Sequence, residues 1–319
     1  MALLEVKDLV TWFDHPQGRV IAVDGISFDV DESECFGIIG ESGCGKSMTA
    51  MSIMAYHREL GAHNGGGQVL LQGEDILRLA PGKLSEYRGK KIAIILQNPM
   101  SALNPLFSVG NQVEESIHYH LHLGRKQERM RVKELFQFLG IPPERRGEYP
   151  FQMSGGMLQR AAGGVAIASS PRLIIADEPT TALDATVQLQ YLQLLRKIQR
   201  EKGTAILLIS HDIRVIALMC SKVAVMYAGR IVEMAPLKTL MENPKHPYTE
   251  ALLRASNPLA KKTDRIYSIN GQPPFLLNPT ASCRFADRCS YCTKQCRQEA
   301  PQQTGKGGEH YVECWRAAE

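Results

Sequence analysis

The sequence predicts an α/β fold assembled around a phosphate-binding loop, and three stretches carry that prediction. Residues 40–47 read GESGCGKS, the G-x-x-x-x-G-K-S spacing, set between an apolar strand at 35–39 and a helix beginning near Lys46. A second apolar strand, in RLIIADEP at 172–179, ends in adjacent carboxylates. A third, at 205–209, delivers Ser210, His211 and Asp212 at its C-terminal end, where open α/β sheets bind ligands.

Composition narrows the class. With 319 residues, 44% hydrophobic and 22% charged, the chain is an ordinary globular protein long enough for two domains. Its net charge of +4 is small and dispersed, so no nucleic-acid partner is expected. The richest basic run, 125–133, is interrupted by Glu128 and reads as a solvated helix face. No stretch approaches the roughly 18 apolar residues that cross a bilayer, and MALLEVKDLV lacks a signal-peptide pattern. A soluble cytoplasmic chain is expected, reaching a membrane only through partner subunits.

In chain order, 3–10 and 20–30 read as strands separated by the turn-rich DHPQG at 14–18. Trp12 or Phe13 could stack on an adenine ring, though packing is the plainer reading. In the phosphate loop, Gly40, Gly43 and Gly45 let backbone N–H groups approach phosphate oxygens at a helix N-terminus. Lys46 supplies a point charge and Ser47 a hydroxyl for magnesium. Cys44 needs only to be small. A helix over 48–56 follows, then a loop at 61–67 leading into the strand QVLLQG, so the opening strands form a small antiparallel sheet beside the main one.

Residues 91–96 predict a buried strand ending at Gln97, and NPMSALNP after it a turn-rich loop. Helical periodicity over 109–140, with Val132, Leu135, Phe136 and Leu139 on one face, predicts a helical insertion. YPFQMSGGMLQR at 149–160 places Ser154, Gly155 and Gly156 at the mouth of a helix, a second anion-binding arrangement. Within that helix Gly163 and Gly164 cost about 1 kcal/mol each relative to Ala, with no local reason for them. Asp177 suits a magnesium shell and Glu178 a water-polarising role. Asp184 opens a helix whose apolar face is Val187, Tyr191, Leu195 and Ile198.

The order and spacing of these pieces resemble the ATPase subunits of ABC transporters over residues 3 to about 250. GESGCGKS resembles the Walker A motif, Gln97 the Q-loop glutamine, MSGGM the signature motif, LIIADE the Walker B motif, ALD the D-loop and His211 the switch histidine. The signature departs from the usual Leu-Ser-Gly-Gly-Gln at its two ends but keeps its Ser and both glycines. The resemblance implies ATP bound by Phe13, by Gly40, Glu41, Ser42, Gly43, Cys44, Gly45, Lys46, Ser47 and Met48, and by Gln97, Asp177 and Asp184. Ser154, Gly155 and Gly156 would cap the nucleotide of a partner. It further implies Mg2+ on Ser47, Gln97 and Asp177, and catalysis by Glu178 with His211, Lys46 and Gln97. A head-to-tail dimer with a homologous ATPase, two transmembrane permease subunits docked near Gln97 and a substrate-binding protein complete the expected assembly. This chain would be peripheral on the cytoplasmic face of the inner membrane.

KHPYTEALL at 245–253, with the loop at 98–105, resembles the peptide and nickel permease group of bacterial importers. A linker is expected over 256–279. Of eight cysteines, Cys35 and Cys220 read as core, while Cys283, Cys289, Cys292, Cys296 and Cys314 cluster near the end. The gaps of five, six and seventeen residues between Cys283, Cys289, Cys296 and Cys314 resemble the cysteine module of dipeptide and oligopeptide permease ATPases. That resemblance implies a four-iron, four-sulfur (4Fe-4S) cluster on those four thiolates, with zinc as the alternative and Cys292 left over. The expected organisation is a P-loop NTPase (ABC ATPase) core at 1–250, with a helical subdomain about 100–165, and an extension at 251–319. Its expected work is ATP-driven import of di- or oligopeptides. The alternatives are nickel or nickel-chelate import and, in another class, a soluble ABC ATPase with a redox or metal-sensing role.

Overall fold

The computed structural model describes residues 2–256, 268–305 and 310–318; positions 257–267 of the expected linker lie outside the described residues. Strands and helices follow in the order β1 (Ala2–His15), β2 (Gly18–Asp31), β3 (Cys35–Ile39), α1 (Lys46–Ile53), β4 (Ala62–Leu71), β5 (Glu74–Asp75), α2 (Pro81–Tyr87) and β6 (Ile92–Ile95). Next come α3 (Pro99–Ala102), α4 (Val109–Leu121), α5 (Arg125–Phe138), α6 (Gly155–Ile167), β7 (Leu173–Asp177), α7 (Ala185–Lys202), β8 (Ala205–Ser210) and α8 (Ile213–Met219). The chain ends with β9 (Lys222–Tyr227), β10 (Arg230–Pro236), α9 (Leu237–Glu242), α10 (Pro247–Ala255), α11 (Lys294–Gln298), β11 (Gln303–Thr304) and β12 (Tyr311–Glu313). Two compact units divide it, one mainly Arg78–Ile209, the other Leu4–Asp29, Cys35–Leu77 and the chain from Ser210 onward.

In the first unit β6, β7 and β8 run parallel, with Ile92 opposite Leu173 and Leu173 opposite Ala205. Every residue of β7 is buried, as an unbroken apolar run requires of a parallel strand covered on both faces. The expected helical insertion is two helices, because His122 adopts a left-handed conformation (φ 50°) and caps α4. Val132, Leu135, Phe136 and Leu139 are all buried, as their spacing implies. The predicted turn at NPMSALNP contains α3, started by Pro99 and capped by Asn98, whose side chain accepts the Met100 N–H at 2.9 Å.

The two glycines in α6 now have a reason. A Cβ on Gly163 would lie 2.8 Å from the Tyr191 hydroxyl of α7, and one on Gly164 2.8 Å from the Leu139 side chain. Both positions are small so that neighbouring side chains can sit against the α6 backbone, a gain in packing that offsets their poor helix propensity.

In the second unit β2, β1, β4 and β5 form the expected antiparallel sheet. The predicted loop at 61–67 is instead the start of β4, because its glycines sit inside a bulged pairing with β1. A Cβ on Gly65 would meet Val10 at 2.7 Å, and Gly67 combines φ +88° with close approach to the Asp8 carbonyl. Helix α1 stops at Ile53, short of the expected 56, where Ala55 turns left-handed at φ 56°. The rest of this unit pairs β3 parallel to β9, then β10, β12 and β11 antiparallel in succession. The C-terminal strands therefore extend the sheet that carries the phosphate loop.

Candidate nucleotide site

The phosphate loop is a crowded turn with an open mouth. Gly45 sits at φ 106° with its α-carbon against the Ala22 carbonyl, and Gly40 is pressed against the Met226 carbonyl, so a side chain at either would collide with backbone. Lys46, 4% exposed, folds back so that Nζ donates to the carbonyls of Gly40 at 2.8 Å and Glu41 at 2.9 Å. A buried ammonium needs such acceptors, and incoming phosphate oxygens can replace them. Ser42, Gly43 and Ser47 stay exposed at the mouth. Burial raises the Cys44 thiol above its ordinary range despite the opposing pull of Lys46, so Cys44 acts as a small apolar filler, as expected.

Two residues that sequence reasoning did not single out also hold this loop. The Tyr248 hydroxyl accepts the Glu41 N–H at 2.9 Å, and the Arg288 guanidinium donates to both Glu41 carboxylate oxygens at 2.6 and 3.0 Å. Only the HPY run hinted at Tyr248; nothing local marked Arg288. On the β1–β2 hairpin, Trp12 stacks on His63 with centroids 4.2 Å apart and carries the Arg19 guanidinium over its ring. Trp12 is thus engaged, while half-buried Phe13 lies on the alternate face of β1.

In the first unit, Gln97 Nε2 donates to Glu178 Oε2 at 3.4 Å and Thr181 Oγ1 to the same oxygen at 2.9 Å. Glu178 itself is left-handed at φ 46°, a strained conformation fixed by its N–H bond to the Ile209 carbonyl at 2.9 Å. Asp177 ends β7, 4% exposed. Asp184 caps α7, accepting from the Thr186 and Val187 amides at 3.0 and 3.1 Å. Ser154 caps α6 by backbone conformation only, without a side-chain capping bond, and both it and Gly155 are exposed. In the second unit exposed His211 follows β8 and precedes Asp212. Burial pushes the Asp212 carboxyl up, but Arg214, bound to both its oxygens, outweighs burial and holds it below the usual range.

The cysteines divide as expected between core and terminus. Cys35 and Cys220 are buried with their sulfurs 3.6 Å apart. Cys283, Cys289, Cys296 and Cys314 line one pocket of about 380 Å³, and Cys292 does not. Burial, reinforced by the neighbouring cysteines, pushes the Cys283 thiol up to about 12. Among the described residues, however, no group of three or more His, Cys, Asp or Glu side chains is gathered so as to hold a metal ion. The expected metal-binding module is corrected to that extent: the four thiols share a pocket without forming a closed ligand set.

A phosphate loop at the end of β3, a carboxylate pair at the end of β7 and an exposed Ser-Gly-Gly helix start define an ABC-type P-loop ATPase. Profiles agree, with the ABC transporter family matching residues 23–181 and the oligopeptide/dipeptide transporter C-terminal region matching 232–296. The dipeptide transport ATP-binding protein DppD of Bacillus subtilis is 41% identical over 98% of this chain and 94% of its own. The oligopeptide transport ATP-binding protein OppD of the same organism is 40% identical over 98% and 88%. The dimeric ATP-binding cassette MJ0796, in a post-hydrolysis state bound to ADP and Pi, matches 73% of this chain and 98% of its own, with TM-score 0.67 and 25% identity. The chain belongs to the ATP-binding subunits of ABC transporters, in the dipeptide and oligopeptide permease family. Among the described residues no helix is long and apolar enough to cross a membrane.

Proposed function

We propose that this chain is the ATP-hydrolysing subunit of a bacterial ABC importer that energises uptake of di- or oligopeptides. The observation that carries the reading is its likeness, over nearly the whole chain, to dipeptide and oligopeptide transport ATP-binding proteins. Residues 1–250 form the nucleotide-binding domain, with the helical subdomain about 100–165, and 251–319 the extension. Phe13 stacks on adenine, while Lys46 and the amides of 40–48 grip the phosphates. Ser47, Gln97 and Asp177 would hold magnesium, which when bound would neutralise phosphate charge. Glu178 accepts a proton from the water that attacks the γ-phosphorus, the bond to the β–γ bridging oxygen breaks, and ADP and phosphate leave. Gln97 and Thr181, already bonded to that carboxylate, orient it. His211 steadies the γ-phosphate.

Ser154, Gly155 and Gly156 cap the nucleotide of a homologous partner ATPase in a head-to-tail heterodimer; the exposed start of α6, without a side-chain capping bond, supports this role. Two permease subunits dock beside Gln97, where Met100, Leu106 and Phe107 are exposed, Leu106 by 78%. A substrate-binding protein selects the peptide, and this subunit stays peripheral on the cytoplasmic membrane face. Four thiols around one pocket supply the residue types, though not a gathered ligand set, of a four-iron, four-sulfur cluster or of zinc, which would tie down an extension with little core of its own. Iron and sulfide content against zinc content of anaerobically purified chain decides between them; neither metal present overturns the module. For the main reading, Glu178→Gln in the reconstituted complex keeps ATP binding and lowers turnover about a hundredfold or more, with peptide uptake lost in parallel. Wild-type hydrolysis by that variant would refute it.

A further inference from the structure

The HPY run builds a support for the phosphate loop. The buried Glu233 carboxylate accepts the N–H groups of Lys245 at 2.8 Å and His246 at 2.9 Å, fixing the start of α10 to β10. His246 caps the helix, its Nδ1 accepting the Tyr248 N–H at 3.0 Å, and Pro247 takes the first helical position. Tyr248 is thereby buried and aimed so that its hydroxyl meets the Glu41 amide. From the cysteine-bearing segment, Arg288, its side chain 5% exposed, closes on the Glu41 carboxylate with two parallel bonds while Nε donates to the Asn270 carbonyl at 2.8 Å. With Lys46 on its carbonyl, Glu41 has its amide, carbonyl and carboxylate all engaged. The extension also reaches the other end of the site: Asn278 accepts the Arg19 amide and donates to the Gln17 carbonyl, each at 2.9 Å, bracing the hairpin that carries Phe13.

We propose that the C-terminal extension braces the nucleotide site, with Tyr248 and Arg288 as positioning residues that set the loop's affinity for Mg-ATP by holding Glu41. The proposal rests on reading this loop as the ATP site. Two effects follow from it. Pinning the Glu41 backbone fixes the first turn of the loop, so the amides after it need no ordering when phosphate arrives. Neutralising the Glu41 carboxylate removes a negative charge that would otherwise repel the triphosphate.

The test uses the purified full-length chain and a fluorescent ATP analogue with Mg2+, titrated well below the melting temperature. Tyr248→Phe keeps the ring and loses only the hydroxyl; Arg288→Ala loses the clamp; Arg288→Lys keeps the charge without the paired geometry. Tyr248→Phe and Arg288→Ala should each weaken binding about tenfold, Arg288→Lys by less, and Arg254→Ala, at an exposed position on the same helix, not at all. A role confined to fold stability would instead lower the melting temperature and leave affinity of the folded chain unchanged. Folded Tyr248→Phe and Arg288→Lys binding with wild-type affinity overturn the proposal while the ATPase reading stands. A wild-type chain that fails to bind Mg-ATP overturns that reading and takes this proposal with it.

Discussion

Two glycine-rich helix starts in this chain look alike on paper and differ in three dimensions. In the phosphate loop, Gly40 and Gly45 are pressed against the Met226 and Ala22 carbonyls, and Lys46 is buried on the loop's own acceptors. At the signature, no described residue beyond the helix's own turn comes within 4 Å of where a Gly155 side chain would begin, one on Gly156 would begin 2.5 Å from Val187, and Ser154 is exposed. The first is organised by its own chain before any ligand arrives. The second leaves a helix N-terminus exposed, the kind of positive end that favours an anion. The same pattern of small residues is thus closed in by its own chain in one place and left exposed in the other; on the proposed reading the second is half of a site.

That contrast can be broken most directly at the two ends of the proposed chemistry. In the assembled importer, Gly155→Arg should lower hydrolysis about a thousandfold by blocking the cap, while the isolated chain binds Mg-ATP with unchanged affinity. Impaired binding by the isolated variant would show that the signature is not an outward half-site. Lys46→Ala should do the reverse, weakening Mg-ATP binding about a hundredfold in the isolated chain, since it removes the only ammonium in the loop. Titration calorimetry on the two variants side by side measures both.

Smaller effects sharpen the picture around the loop. Burial pushes His246 down to about 3, far below an ordinary histidine, and the neutral ring caps α10 as an acceptor. Between about pH 6.5 and 3 the unfolded chain therefore binds a proton the folded one refuses, so stability is full above that window and falls as pH is lowered through it, by about 2 kcal/mol at pH 5. His246→Asn, which can still cap, should remove this part of the acid sensitivity in denaturant titrations at pH 7 and 5; an unchanged pH dependence would contradict the assignment. Smallest is Gly163→Ala, expected to cost about 1 kcal/mol because the new methyl meets the Tyr191 hydroxyl. Gly163→Ala combined with Tyr191→Phe should recover much of that loss, and a double variant no more stable than the single one would place the strain elsewhere.

Much of the site was legible in the chain itself. The loop at 40–47, the carboxylates at the end of β7, the Asp184 cap and the buried faces of α5 and, apart from half-buried Val187, of α7 are local patterns, set by spacing along a strand or around a helix. Along the sequence the glycines at 61–67 read as a loop, because their partners, Val10 and Asp8, lie on another strand. Gly163 and Gly164 were opaque for the same reason, their causes being Tyr191 and Leu139.

Local spacing along the chain already sets which carbonyls, amides, hydroxyls and charges stand at the ends of strands and the starts of helices, available to a phosphate and its metal. What holds those groups still emerges from packing between distant parts of the chain. Glu41 is bonded to residues 207 and 247 positions away, contacts that no local spacing encodes. Periodicity reports the face a residue presents, but a hydrogen bond depends on where two faces finally meet, and that is settled by the packing of the whole chain.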